Sequence, residues 1–425
     1  MKVLECLKIK EKAYIEDLDN GLKVIIVPKK ESSKKFVIWG TKFGSIDNKF
    51  ILPETGEEVS VPDGVAHFLE HKMFEQPNGT NSLDKLMALG LDANAYTTND
   101  HTAYLFECSD DENFYSGLDE LMDYVQSPYY TDENVEKEKG IIGQEIMMYD
   151  DDPGFQLYLN TLKCLYSKCP IRIDIAGSIQ SISPINPDIL YKCYNTFYNP
   201  SNMILVVCGN FDPENILGEI KKRLKPSKNI GEIKRIYEKE SNEINQKYME
   251  KNMSVSMPIF MLGIKDKVVE SSERVKRHMT IEVLLNLLIG NSSNLYKKLY
   301  EQQVLLGEPD VEYEFSNQYA HALIGGQSNN PQLVENMFIE EIQKLKRDGL
   351  NSEDFERIKR KIYGEFVTEF NDVASISRMF LADTVKNINS FDYANEYDNV
   401  TIEYADYILN EVFIESKIVL SVIKN

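Results

Sequence analysis

Apolar and polar positions alternate from Gly21 to Pro28 (GLKVIIVP) and from Lys35 to Gly44 (KFVIWGTKFG), predicting two strands with one face toward a core. Asn48 to Val61, with Pro53, Gly56 and several acids, reads as a loop. The period then changes to that of a helix, with Val65, Ala66, Phe68, Leu69, Met73 and Phe74 as its apolar positions. Asp63 is the expected N-cap, and Pro77-Asn78-Gly79 the stop. Asn81 to Leu89 reads as a short helix ended by Gly90. Leu91 to Ser109 is rich in Thr, Tyr and Phe and reads as one or two strands with a turn at Asn99-Asp100. Asp110 or Asp111 opens a helix with Phe114, Leu118, Leu121, Met122 and Val125 on one side, ended by Pro128. Thr131 caps another, running through EKEKGIIGQEIMMYDDDP. Gly154 to Tyr166 continues as helix, Ile171 to Ile185 is irregular, and Pro187 to Phe197 is helical. The unbroken apolar run of Asn202 to Phe211 (NMILVVCGNF) suits a strand in the middle of a sheet.

From Leu224 to Asn252 the chain turns almost wholly polar, as an inter-domain linker would. The element order then loosely repeats. Ser254 to Lys265 and Tyr319 to Gln327 read as strands, and Arg274 to Ile289 and Ser292 to Leu299 as helices. Amphipathic helices follow at Pro331 to Leu350, Ser352 to Phe370, Ala374 to Lys386 and Thr401 to Phe413, before a closing strand at Lys417 to Ile423. Both halves end on a helix and an apolar strand, which suggests a duplication. The expected division is 1–223, a linker at 224–252, and 253–425.

The 425 residues are long enough for two domains with full cores. No apolar run reaches the length of a membrane span. The formal net charge of −21 disfavours nucleic acid, whose backbone it would repel. The first residues, MKVLECLKIKEKAY, lack the apolar core and cleavage site of a secretory signal. Four of the six Cys sit among apolar neighbours and read as buried thiols, and Cys164 and Cys169 lack the partner pair of a zinc knuckle, so the expected compartment is a reducing cytoplasm.

Chemistry concentrates in the helix after Pro62, which reads H-x-x-E-H at His67, Glu70 and His71. Residues four apart stack on one helix face, so His67 and His71 can offer two imidazoles to one ion. Zinc accepts neutral imidazole and, in catalytic sites, leaves a position open to water. Glu70 shares that side and can take the proton of such a water. The pattern is an inverted zinc-peptidase signature; the alternative is two structural histidines beside a salt-bridged glutamate. Downstream, Glu138, Ile142 and Glu145 fall on one helical stripe. Taken alone that stripe reads first as a charged flank, but a His-His pair needs a third ligand, and His, His and Glu is a frequent catalytic set. His278 and His321 lie far apart and read as structural.

With these motifs the chain resembles the pitrilysin and insulinase-type zinc peptidases, in particular their small bacterial branch related to mitochondrial processing peptidase subunits, the YmfH-like group. The resemblance runs through GSID, PDGVAHFLEHKMFE, NAYTTNDHTAYLF, EKEKGIIGQEIMMYDDDP and YNPSNMILVVCGNF, nearly the whole chain. It implies an α+β fold of two homologous α/β sandwich domains, each a mainly antiparallel sheet covered by helices. It implies one Zn2+ per chain on His67, His71 and Glu145, with Glu70 as general base and Glu138 holding the ligand geometry. It also implies a substrate-pairing edge strand at Asn94, Ala95, Tyr96 and Thr97. The implied activity is that of a zinc metalloendopeptidase cleaving short or unfolded peptides, leader peptides among them, in a chamber. One departure stands out: where the family often carries an Arg and a Tyr after Ser-Ser-x-Leu, this chain has Tyr300 and Gly307 after Ser292-Ser293-Asn294-Leu295. The expected partner is therefore a related non-catalytic subunit supplying that pair, in a heterodimer, with a homodimer as the variant. The rival expectation is a non-catalytic peptide-binding or scaffold subunit with a vestigial zinc site.

Overall fold

In a computed structural model covering residues 1–425, nine strands belong to the first of two compact units. They are β1 (Lys2–Cys6), β2 (Glu11–Asp17), β3 (Lys23–Pro28), β4 (Lys35–Thr41), β5 (Lys49–Ile51), β6 (Glu58–Ser60), β7 (Asp92–Thr97), β8 (Thr102–Cys108) and β9 (Met203–Gly209). Seven form one sheet in the order β1-β2-β3-β9-β4-β8-β7, antiparallel except for the pair β3 and β9. Every residue of β9 is buried, as its apolar run requires at the sheet's centre, and so is every residue of β4, whose alternation suggested burial on one face only but which is flanked by strands on both sides and covered on both faces. The small hairpin β5–β6 falls inside the expected loop, and β1–β2 was not foreseen at all. Both are short or peripheral; β1 buries only Cys6, so its side chains carry no alternation to read.

The second unit adds β10 (Tyr248–Asn252), β11 (Ile259–Lys265), β12 (Asp310–Phe315), β13 (Ala320–Gln327) and β14 (Ile418–Lys424). Their order is β10-β14-β11-β13-β12, with only β10 and β14 parallel. This is the pairing pattern of β3-β9-β4-β8-β7, strand for strand, which is the topology a duplicated fold requires. The α+β architecture expected from the sequence is thus present twice. Within the expected linker, 230–237 bonds to β5 through Ile51 N–H to Lys234 O (2.9 Å) and Ile236 N–H to Lys49 O (2.8 Å). Its far end forms β10, a polar edge strand with alternate residues exposed.

The units also depart from the linear division, because each comprises three separate segments: 1–146, 174–237 and 367–391 for the first, and 147–173, 238–366 and 392–425 for the second. Helix Pro153–Leu165, from the first half, packs on β11 and β14; helix Val373–Val385, from the second, packs on β4 and β9. A glycine admits each helix. A Cβ at Gly40 would lie 2.6 Å from Leu381, and one at Gly263 would lie 2.8 Å from Thr161. No helix is long and apolar enough to cross a membrane.

Candidate metal centre

The motif helix spans Val65–Lys72 and buries Val65, Ala66, Phe68 and Leu69 in the first unit's core. Its start differs from the sequence expectation. Gly64, with φ 92°, occupies the N-cap, and no side chain caps the helix. The Asp63 carboxylate instead accepts from Asn48 Nδ2 (2.9 Å), while its carbonyl accepts from Ser181 Oγ (2.8 Å). A Cβ on Gly64 would stand 2.4 Å from the Ala176 carbonyl oxygen. Opposite, Gly177 (φ 77°) approaches the Asp63 carbonyl as closely, at 2.6 Å from where its Cβ would be. Gly64→Ala is therefore expected to destabilise the chain by roughly 2–4 kcal/mol, adding left-handed strain to a backbone clash. A urea midpoint lowered at unchanged slope checks it.

One turn apart on this helix, the His67 and His71 rings meet edge to face with centroids 4.5 Å apart. The glutamate helix, Asp132–Asp150, brings Glu145 to them: its two oxygens lie 3.6 Å from His67 Nε2 and 3.5 Å from His71 Nε2. Ligand atoms of the three residues all fall within 4.8 Å of one another, the one such grouping of potential metal ligands in the chain. The other three histidines are engaged elsewhere: His101 with Asp100, His278 with Tyr393, His321 with Tyr166.

Burial pushes the His67 imidazole down to about 3, helped by the neighbouring His71, so this ring is neutral and a ready donor at neutral pH. Its Nδ1 is buried without a hydrogen-bond partner. His71 is different. Burial opposes its charge, but Nδ1 lies 3.0 Å from Glu138 Oε1, and that bond with the nearby carboxylates raises the ring above its ordinary value. Nδ1–H donated to Glu138 leaves the Nε2 lone pair facing Glu145, the tautomer a ligand needs. Glu138 is itself nearly buried, which opposes ionisation; His71 and Lys72 prevail and hold it below the usual carboxylate range. Lys72, fully buried, reaches Glu138 Oε2 at 3.4 Å and Glu75 Oε2 at 2.8 Å. Lys72 belongs to no ligand motif in the sequence; a lysine directly after the second histidine of the pattern is a usable signal once the helix face is drawn.

Glu70 lies on the same helix, buried, and accepts a 2.6 Å hydrogen bond from Thr97 Oγ1. Burial raises its carboxyl above the ordinary range, partly offset by Thr97. Thr97 closes β7, and β7 is the sheet's last strand, paired to β8 alone. Of the segment expected to bind substrate, Asn94 is exposed and Ala95, Tyr96 and Thr97 are half-buried along this free edge.

The donor set suits zinc. Tetrahedral ligands at about 2.0–2.1 Å from the ion stand roughly 3.3 Å from one another, close to the 3.5 and 3.6 Å spacings here. Two neutral imidazoles and a carboxylate also match catalytic zinc better than calcium or magnesium, which prefer oxygen alone.

The model of the insulinase family (peptidase family M16) matches residues 57–168, and that of the peptidase M16 inactive domain matches residues 184–362. The "Uncharacterized zinc protease YmfH" of Bacillus subtilis (strain 168) is 38% identical over 420 residues, 97% of this chain and 96% of the relative. A crystal structure of an M16-like chain from Alicyclobacillus acidocaldarius superposes with a TM-score of 0.92 at 32% identity, covering 97% of this chain and 98% of that one. A protease from Helicobacter pylori shares the fold, with a TM-score of 0.83 at 20% identity over 98% of this chain and 100% of that one. The chain belongs to the insulinase family of zinc peptidases, in the branch that includes YmfH.

Proposed function

We propose that this chain is a zinc-dependent endopeptidase acting on extended peptides laid along the free edge of β7. The convergence of His67, His71 and Glu145 at ligand spacing carries the reading. These three residues would hold one zinc ion, with Glu138 fixing the His71 ring. When bound, zinc supplies Lewis-acid polarisation of a carbonyl and a lowered water pKa. The chain's own residues do the rest. Backbone pairing at Asn94 to Thr97 holds a peptide extended whatever its side chains. The Glu70 carboxylate, hydrogen-bonded to Thr97 at the end of that edge, takes the proton of the attacking water and returns it to the leaving amine. Unfolded segments and short peptides, leader peptides included, fit such a mode, because a folded protein cannot free a strand for pairing.

Tyr300 and Gly307, where the family often has Arg and Tyr, support a partner subunit that completes the substrate clamp. The same observation favours the second reading, a peptide-binding subunit that does not cleave. One experiment separates them. The purified chain, alone and mixed with a related chain holding the Arg and Tyr, is incubated with an unstructured peptide, with and without a chelator. Cleavage abolished by chelation and restored by one equivalent of zinc is expected. Peptide bound but uncut in every mixture would leave the scaffold reading in its place. A reducing cytoplasm remains the proposed compartment; all six cysteines are free and buried.

A further inference from the structure

Strand β7 has two faces, and the active-site helix lies against only one of them. Thr97 points to Glu70. The register Phe36↔Glu107↔Asp92 and Gly40↔Ala103↔Tyr96 puts Tyr96, Asn94 and Asp92 on the opposite face, together with Phe36 and Gly40. Helix Val373–Val385 covers that face, with Leu381 over Gly40. From this helix Arg378 reaches over two rings, its guanidinium carbon 5.4 Å from the Phe36 centroid and 5.9 Å from that of Tyr96. Arg378 is exposed and forms no ion pair, in a chain where Asp and Glu number 68 against 47 Lys and Arg. Two nearby carboxylates in sequence and register have partners of their own: Glu107, opposite Phe36, pairs with Lys34 at 2.6 Å, and Asp100 with His101 at 2.7 Å.

We propose that Arg378 and Tyr96 form a specificity pocket for an acidic side chain of the substrate, next to the bond to be cleaved. The proposal rests on the reading of β7 as the peptide-pairing edge. In an added strand, directly opposed residues share a face, with Cβ atoms about 5 Å apart. The substrate residue opposite Tyr96 therefore projects onto the Tyr96 ring and toward the guanidinium, while its neighbour projects toward Glu70. A planar guanidinium stacked on aromatic rings is held in place without being neutralised, leaving its N–H fork open to a carboxylate. A glutamate there gains a charge-assisted bond; a glutamine gains a weaker neutral one, and a lysine is repelled. Asp92, exposed on the same face four residues earlier, would disfavour a second acid at that end.

The test uses binding, so it does not depend on turnover. The zinc-loaded Glu70→Gln chain is titrated, by fluorescence anisotropy, into a set of labelled unstructured peptides with amidated C-termini. A single Glu, Gln or Lys is walked along each peptide, so the only carboxylate is the one being moved. One position is expected at which Glu binds about tenfold more tightly than Gln. Adding Arg378→Gln should reduce that ratio to within about twofold, and Arg378→Glu should turn the preference toward Lys. Since each ratio is internal to one variant, a change in overall affinity does not affect it. A Glu-to-Gln ratio identical with and without Arg378 overturns the pocket and leaves the edge-strand reading standing. No binding of any peptide, neutral or acidic, overturns both.

Discussion

Glu70→Gln is expected to keep one zinc per chain while lowering kcat on an unstructured peptide by roughly 10²–10⁴-fold, the usual worth of a positioned general base. Glutamine has the shape of glutamate and can still accept the 2.6 Å bond from Thr97, so the helix and its two histidines stay where they are. What it cannot do is accept a proton. Burial already lifts the Glu70 carboxyl above its ordinary range. That makes it a stronger base once ionised, and a better donor to the departing amine once protonated. Neighbouring carboxylates do not replace it. Glu138 is occupied by His71 and Lys72, and Glu145 faces the two imidazoles. Metal content and kcat measured on the same preparation decide the matter. Cleavage retained with full zinc would remove Glu70 from the role, whereas zinc lost along with cleavage would make it a structural residue of the site.

How much of this could be read before folding depended on range. H-x-x-E-H is legible because four residues make one helical turn, so its geometry is local. The stripe of Glu138, Ile142 and Glu145 is just as local, yet nothing within it says that it faces His67 and His71; the family resemblance made that link. Gly64 illustrates the limit. Asp63 looked like an N-cap by residue type, but the tertiary contact of the Asp63–Gly64 peptide with 176–181 took that position for a left-handed glycine. Edge strands escaped for another reason. β1 and β10 bury too few side chains to leave an apolar pattern, while β12 (DVEYEF) alternates but is only six residues long and buries just Tyr313 and Phe315. The exchange of helices was beyond reach as well. Pro153–Leu165 and Val373–Val385 are apolar stripes that would suit either sheet, since the central strands of both sheets are apolar and both offer a glycine for close approach. Sequence order suggested that each half keeps its own helices, and packing decided otherwise.

Glu145→Ala should abolish zinc-dependent stabilisation without unfolding the metal-free chain. In the wild type, zinc at about 100 times its dissociation constant adds roughly 2.7 kcal/mol, a rise of a few degrees in Tm. Removing the carboxylate leaves two imidazoles one turn apart, and affinity should fall by more than about 100-fold, beyond the usual cost of losing an outer partner of a ligand. The variant's Tm should then be flat in zinc. Its metal-free Tm should match the wild type's, because Glu145 is partly exposed and its contacts are with the two histidines rather than the core. Glu138 is the nearest substitute donor, but moving it would strip His71 Nδ1 of its partner and leave Lys72 unpaired on that side. The pH dependence has a definite sign too. His67 is already neutral and releases nothing on binding. His71, raised by Glu138 once burial is overcome, must surrender a proton, so wild-type zinc affinity weakens as pH falls through the His71 titration. Differential scanning of both proteins across a zinc series, at two pH values, tests the whole arrangement. Equal zinc shifts in the variant and the wild type would remove Glu145 from the ligand set.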